Sequence, residues 1–144
     1  MPDPNLDAAA LAHELRIAVM RFSRRLRGQR VDTSVTLTHL SALSTLRRHG
    51  AMSAGELAAH ERVQPPSMTR VVGALEAMEL ITRTPHPTDG RQVVIELTPA
   101  ADELLATEAR AREAWLSGRL EQLGSEELEI LRAAATIMDK LAAE

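Results

Sequence analysis

The chain has 144 residues, 44% of them hydrophobic and 26% charged, which fits a single globular domain. It contains no Cys, and this excludes a disulfide framework, a thiolate zinc site and an iron–sulfur cluster. The net charge is −3, but residues 1–99 carry twelve Arg against ten acidic residues, whereas residues 100–144 carry five basic residues against ten acidic ones. A mildly basic body joined to an acidic C-terminal region is compatible with DNA binding on one side.

The N-terminal sequence and the hydropathy pattern favour a cytoplasmic protein. No apolar run approaches the roughly 18 residues of a membrane span. Asp3, Asp7 and Glu14 precede the first Arg, unlike the basic start of a signal peptide. The chain has one Phe, one Trp and no Tyr, so we do not expect it to stack single-stranded bases on aromatic side chains.

Two helices are predicted in the first third of the chain. Residues 8–28 form the first, because apolar residues recur at three- and four-residue steps from Leu11 to Leu26 and Gly28 provides a stop. The second is expected to begin at Thr38, a good N-cap, and to end before Gly50.

A short pair of helices follows. Ser53 and Glu56 form a capping box, which opens a helix over residues 54–60. Residues 61–64 make a turn, and Pro65 opens the next helix, which runs to about Glu79. The buried side of this helix is predicted to carry Met68, Val71, Val72, Leu75 and Met78.

A β-hairpin and two further helices complete the pattern. Residues 80–84 and 92–97 read as strands joined by a turn that contains two Pro and Asp89-Gly90. A long helix is expected over residues 99–122, followed by a last helix capped by Ser125. The last helix has two apolar stripes, formed by Leu128, Leu131, Ala135 and Met138 and by Ile130, Ala134, Ile137 and Leu141. A helix that is apolar on two sides needs two packing partners.

This order predicts a mainly α fold with a small β-hairpin wing: a winged helix-turn-helix flanked by further helices. In such a motif the second helix lies in the major groove of DNA, led by its N-terminal residues. Opposite its buried side this helix carries Pro66, Arg70, Gly73 and Ala77, a small and polar face with no acid until Glu76. Small residues let a helix approach the groove, and Arg can pair with guanine.

Residues 53–105 resemble the winged helix of the multiple antibiotic resistance regulator (MarR) family. The shared features are ELA in the first short helix, the pattern PxSMTRVVxxLE in the second, the strand LITR, and the wing signature Asp89-x-Arg91 followed by a strand and Leu97-Thr98. The order of the helices matches over essentially the whole chain.

The resemblance implies one domain over residues 1–144, with a winged helix-turn-helix at about 36–98 and dimerisation helices at about 6–30 and 99–143. It further implies a sequence-specific transcriptional regulator, a repressor, that binds a pseudo-palindromic operator in double-stranded DNA as a homodimer. A small aromatic or phenolic ligand would release it. We expect no cofactor and no metal, and no enzymatic activity either, because the chain has no P-loop, GxSxG or HExxH motif.

The resemblance also assigns DNA-facing residues by position: Ser53, Gln64, Pro66, Ser67, Thr69, Arg70, Asp89 and Arg91. Ser53 would touch a phosphate, Arg91 would enter the minor groove, and Asp89 would brace the wing. The other five would face the major groove. The chain departs from the family pattern at Gln64, where a Ser or Thr N-cap is common, and at Pro66, which doubles the opening proline.

The dimer is also expected from the residues themselves. The first helix and the last two are too apolar for a monomer with a small winged core, and a two-fold pairing would bury their faces. Two recognition helices one DNA turn apart would then read half-sites about 34–36 Å apart. A monomeric helical bundle with an appended wing is the alternative.

Several other interpretations remain open at this stage. The winged helix could contact a protein or double-stranded RNA, and His49 and His60 could join a carboxylate in a metal site. An effector crevice between dimer body and winged helix has candidate lining residues in Arg16, Phe22, His39, Leu43 and Trp115. Core packing is the favoured role of Phe22 and Leu43, core or interface packing that of Trp115, and His39 is expected to be solvated, so no ligand site is assigned.

Overall fold

The computed structural model describes residues 6–143, so the predicted domain ends at 1–5 and 144, including Asp3, lie outside the described residues. The helices and strands are α1 (Ala8–Arg27), α2 (Leu37–His49), β1 (Met52–Ser53), α3 (Ala54–Glu61), α4 (Pro65–Ala77), β2 (Ile81–Pro85), β3 (Val93–Leu97), α5 (Pro99–Leu120) and α6 (Ser125–Ala142). The predicted fold class, mainly α with a small antiparallel sheet, is confirmed. Within the described part, no helix has the length and apolar character that crossing a membrane requires.

The described residues divide into two compact units. Residues 30–110 form one unit, and residues 6–29 and 111–143 form the other. The first unit contains α2, α3, α4, the three strands and the first half of α5. The second contains α1, the rest of α5 and α6.

The sheet of the first unit has three strands rather than the predicted two. The hairpin is confirmed: β2 and β3 pair antiparallel, from Ile81 opposite Leu97 to Pro85 opposite Val93. The additional strand β1 pairs with β3 on its other edge, giving the order β1-β3-β2. The two-strand prediction was wrong because β1 has only two residues and forms by pairing with a segment about 40 positions away, so no local pattern marks it.

The hydrophobic core of this unit fixes the orientation of α4. Met68, Val72 and Leu75 are buried as predicted, while Val71 and Met78 are half-buried against the same core. The core is completed by side chains from α2, α3, the sheet and α5, among them Leu43, Leu57, Ile81, Ile95 and Leu105. Because α4 is held by this face, its opposite face is left to solvent.

Two helix starts differ from the prediction. Thr36, not Thr38, caps α2: its hydroxyl accepts the N–H of His39 at 3.2 Å, and His39 Nδ1 accepts the N–H of Thr36 at 3.1 Å. The extended backbone of Thr36 allows this reciprocal pair, which also gives His39 a structural role instead of a purely solvated one. Helix α6 is capped at Gly124 rather than Ser125, because the Glu127 carboxylate accepts the Gly124 N–H at 3.0 Å.

Two helix ends also come earlier than predicted. Helix α4 stops at Ala77, with Met78 as its C-cap, and Glu79 has a left-handed backbone (φ 60°) that cannot continue a right-handed helix. Helix α5 ends at Leu120 instead of residue 122. The end of α1 at Arg27 agrees with its predicted end to one residue.

In the second unit, the two apolar stripes of α6 have different surroundings. Residues of the first stripe line an open apolar cavity of about 500 Å³ together with residues of α1 and α5, including Phe22 and Leu116. In the second stripe, Ile130, Ile137 and Leu141 are 67%, 58% and 71% exposed. Phe22 itself is 46% exposed, so core packing was the wrong interpretation for it, whereas Leu43 is fully buried.

Candidate nucleic-acid interface

The turn between α3 and α4 is closed by two backbone hydrogen bonds. Arg62 lies in the left-handed region (φ 53°), its N–H donates to the Ala59 carbonyl at 3.3 Å, and the Val63 N–H donates to the Ala58 carbonyl at 3.1 Å. This is a C-cap geometry that glycine usually provides, and a non-glycine residue adopts it at some cost. Because Val63 packs on the core, the turn sets the direction in which α4 leaves.

The N-terminus of α4 offers no free main-chain donor in its first turn. Pro65 and Pro66 have no N–H, and the N–H groups of Ser67 and Met68 both donate to the Gln64 carbonyl, at 3.0 and 3.1 Å. A helix N-terminus ordinarily binds anions through such free amides. Any contact that this end of α4 makes with a phosphate or a base therefore has to come from its side chains.

Those side chains are available. Gln64 makes no side-chain cap hydrogen bond, which leaves its amide free to turn outward. Five of the residues assigned by the resemblance lie here and are exposed: Gln64, Pro66, Ser67, Thr69 and Arg70. The Thr69 hydroxyl donates to the Pro65 carbonyl at 3.0 Å, so it can only accept a further bond, and its methyl group is left for apolar contact.

The charge on α4 is distributed to favour an anionic partner. Arg70 takes part in no ion pair with any residue in the range 6–143. The first acid on the helix, Glu76, is bound to the Arg83 guanidinium of β2, with 3.0 Å between Nε and a carboxylate oxygen. Sequence reasoning missed this pair, which links the C-terminal half of α4 to the base of the hairpin and offsets the acidic charge.

Ser53 is the least available of the assigned residues. Its hydroxyl oxygen accepts the Glu56 N–H at 3.2 Å, and the hydroxyl donates to a Glu56 carboxylate oxygen, with 3.3 Å between the two oxygens. The predicted capping box is therefore only half correct, because Glu56 contacts the Ser53 hydroxyl instead of the backbone N–H. One lone pair of the hydroxyl remains for a further contact.

The predicted wing is the loop between β2 and β3. One Asp89 carboxylate oxygen accepts the backbone N–H of Arg91 at 3.1 Å, a local turn that fixes the start of the return strand. The Arg91 side chain is exposed and forms no ion pair with the described residues. An arginine on an exposed, braced loop is suited to enter a groove of negative potential.

The wing loop also has a partner that sequence reasoning missed. His86 Nδ1 accepts the N–H of Thr88 at 3.2 Å and that of Asp89 at 3.1 Å, and the His86 N–H donates to the Gln92 carbonyl at 3.0 Å. The signal was present in the sequence as a hydrogen-bonding side chain directly before Pro87, the arrangement that initiates turns in Asn-Pro and Asp-Pro.

His49 and His60 do come together, with ring centroids 4.4 Å apart and planes 25° from parallel. Stacked rings direct their nitrogen lone pairs side by side and not toward a common point. Among residues 6–143 no group of three or more His, Cys, Asp or Glu could hold a metal ion. The pair therefore reads as a packing contact between α2 and α3.

Comparisons with known proteins identify the family of this chain and its structural neighbours. The model of the MarR family matches residues 35–93. An uncharacterized HTH-type transcriptional regulator of Mycobacterium bovis is 49% identical over 130 residues, covering 90% of this chain and 91% of the relative. The HTH-type transcriptional repressor NicR of Pseudomonas putida is 34% identical over 95 residues, covering 66% of this chain and 60% of NicR. A crystal structure of a Pseudomonas aeruginosa protein superposes with a TM-score of 0.85 at 28% identity, over 98% of this chain and 99% of that one.

Proposed function

Because the chain belongs to the MarR family of DNA-binding transcriptional regulators, which are not enzymes, we propose that it is a cytoplasmic repressor that binds a pseudo-palindromic operator as a homodimer and is released by a small-molecule effector. The observation that carries the DNA-binding part is the exposed N-terminal half of α4, where polar contacts must come from side chains and Arg70 has no ion-pair partner among the described residues. Such a surface reads base edges, because side chains and not amides distinguish one base pair from another.

The residues proposed to contact DNA are those assigned by the resemblance: Ser53, Gln64, Pro66, Ser67, Thr69, Arg70, Asp89 and Arg91. The exposure of seven of them at α4 and on the wing loop supports this assignment, and Ser53 is half-buried at the start of α3. The Gln64 amide can donate to and accept from the edge of adenine, and the Arg70 guanidinium can donate to the edge of guanine. Arg91 supplies a cation, with Asp89 holding the backbone that presents it.

The homodimer is supported by the apolar surface of the unit that contains α1 and α6. Leu11, Phe22, Ile130, Ile137 and Leu141 are all more than 40% exposed there, and single soluble chains usually limit the exposure of large apolar side chains. A two-fold pairing of these helices would bury the same patch on both subunits. The proposal therefore places dimerisation in the helices that flank the winged helix-turn-helix.

Repression and effector release are supported by a relative and by an apolar cavity. NicR, a relative at 34% identity, is a transcriptional repressor. The cavity beside Phe22 is mostly apolar and is lined by one charged residue, Arg132, a composition that fits a small aromatic or phenolic anion. Such a ligand would act by favouring a dimer whose recognition helices no longer match adjacent half-sites.

The test is footprinting followed by a binding titration on the DNA upstream of the protein's own gene. We expect protection of two half-sites about one helical turn apart and binding that weakens steeply with salt. A scrambled duplex and a double-stranded RNA of the same sequence are the controls. Equal affinity for the operator, the scrambled duplex and the RNA would refute the proposal. So would binding to another protein without any protection of DNA.

A further inference from the structure

The wing loop is held in shape by one imidazole. His86 begins the loop, and its Nδ1 accepts the N–H groups of the residues two and three positions later, Thr88 and Asp89, at 3.2 and 3.1 Å. Asn, Asp and Ser commonly occupy this position before a Pro, because their oxygen accepts the same bonds. Here a histidine occupies it, and histidine differs from those residues in being titratable near neutrality.

The cap exists only in the neutral form of the ring. A nitrogen that accepts hydrogen bonds carries no proton, so neutral His86 holds its proton on Nε2. In the imidazolium both nitrogens are donors, and Nδ1–H would point at two other N–H groups. Protonation therefore removes the two hydrogen bonds from backbone N–H groups, and the Nδ1–H that forms can donate to the Thr88 hydroxyl oxygen, 3.3 Å away, but to neither amide.

The cap is connected to the wing arginine through one residue. The N–H of Asp89 is bound by His86, and the Asp89 carboxylate in turn accepts the N–H of Arg91. We propose that His86 is a positioning residue for the wing, and that protonation of its imidazole releases the loop and weakens DNA binding. The proposal rests on the proposed function only for its DNA readout, since the cap itself is a property of the free protein.

The charged groups near His86 also influence how DNA affinity changes with pH. Asp89 and Arg91 lie on the loop that it caps, and Arg83 and Glu96 lie on the two strands below. From α4, which packs against the hairpin, Glu76 is bound to Arg83. The positive charge gained by His86 would by itself attract phosphate, which opposes the loss of the cap. Salt of about 0.3 M screens that attraction, while hydrogen bonds are little affected.

The experiment measures operator affinity of the full-length protein from about pH 7.5 to pH 5.5, the range in which imidazoles change charge. Wild type should lose about tenfold or more in affinity, because two hydrogen bonds are lost and each changes an equilibrium constant by up to about tenfold. His86→Asn keeps an accepting oxygen that does not titrate, so it should bind as wild type does at pH 7.5 and keep that affinity at pH 5.5. His86→Ala should bind about tenfold more weakly at both pH values.

His39→Asn is the matched control. The Nδ1 of His39 also accepts a backbone N–H, but in the cap of α2, so this variant should keep the wild-type pH dependence.

A second measurement does not involve DNA. NMR should show the Thr88 and Asp89 amides of the free protein protected from exchange at pH 7.5 and, relative to their intrinsic rates, unprotected at pH 5.5, with no such change in His86→Asn. If these amides behave alike in both proteins, or if His86→Asn retains the pH dependence of affinity, the proposal is wrong. If the amides respond as expected but no duplex is bound at any pH, the cap stands and the proposed function fails.

Discussion

The carboxylate of Glu108 in α5 accepts the backbone N–H of Asp32 at 2.9 Å, and Glu108 is fully buried. The same carboxylate accepts the N–H of Val31 at 3.2 Å and lies 3.5 Å from Nε of Arg30. The segment that precedes α2 is thereby fastened to α5. Asp32 is held by its own turn, where the hydroxyl and the N–H of Ser34 lower the pKa of its carboxyl group.

The first prediction concerns this buried carboxylate. Glu108→Ala should lower the free energy of unfolding by about 3–5 kcal/mol, because it leaves the buried Nε of Arg30 without its carboxylate and two part-buried backbone N–H groups without their acceptor. Glu108→Gln should cost less, since the amide oxygen still accepts. Urea denaturation with an unchanged m value measures the effect, and Glu103→Ala, an exposed acid on the same helix, should be close to wild type. Equal stability of the Ala and wild-type proteins at position 108 would contradict the role assigned to Glu108.

The features that could be predicted depend on local sequence signals, and those that were missed depend on contacts between different helices and strands. The helix order, the hairpin and the buried side of α4 follow from local signals: apolar periodicity and the placement of Pro and Gly. Strand β1 and the buried Glu108 depend on partners more than 40 positions away, and the Glu76–Arg83 pair depends on how the chain turns between α4 and β2. An acid such as Glu108 carries no sequence sign of burial, because charged residues are expected outside. At the candidate site, the exposure of the side chains was anticipated, but the use of His86 Nδ1 as a loop cap was missed, although a hydrogen-bonding side chain before a Pro is a turn signal.

Replacing Gly73 is predicted to raise stability and to lower operator affinity. It lies inside α4 on the same side as Pro66 and Arg70, and a Cβ added to it would meet nothing within 4 Å. Glycine in a helix costs about 1 kcal/mol relative to Ala, and no packing within the described chain requires it. Gly73→Ala should therefore raise the free energy of unfolding by about that amount while weakening operator binding, because the added methyl group holds the helix back from the groove. A stabilised variant with wild-type affinity would show that this part of α4 does not approach DNA closely.

The assembly is tested on the second stripe of α6. Ile137 is 58% exposed in the chain, so Ile137→Asp should leave the fold intact, place a charge in the subunit interface, and abolish both dimerisation and operator binding. Thr136→Asp, which adds the same charge at the neighbouring exposed position, is the control and should remain dimeric. Sedimentation velocity measures the assembly and circular dichroism the fold. A folded Ile137→Asp protein that still sediments as a dimer would place the interface elsewhere.

Arg70 is predicted to determine sequence preference. If its guanidinium reads a guanine, Arg70→Ala should cost about 1–3 kcal/mol on the operator and relax the preference at one position in each half-site. Binding to a scrambled duplex should change less, because only the specific contact is lost. Affinities on single-substitution operator variants measure this. A uniform loss across all duplexes would instead mean that Arg70 contacts a phosphate.

Arg91 is predicted to act through charge and groove shape instead of base edges. It follows a loop braced by Asp89, so its guanidinium can enter a narrow, A·T-rich minor groove, where the negative potential is strongest. Arg91→Ala should weaken binding to most sequences and reduce the salt dependence by about one ion per subunit. Arg91→Lys keeps the charge and should restore the salt slope, with partial recovery of affinity.

Asp89→Ala should weaken binding less, because it loosens the loop without removing the cation. The measurement is a salt titration of each protein on one operator and one scrambled duplex, and an unchanged slope and affinity in Arg91→Ala would mean that the hairpin is not a DNA-reading wing.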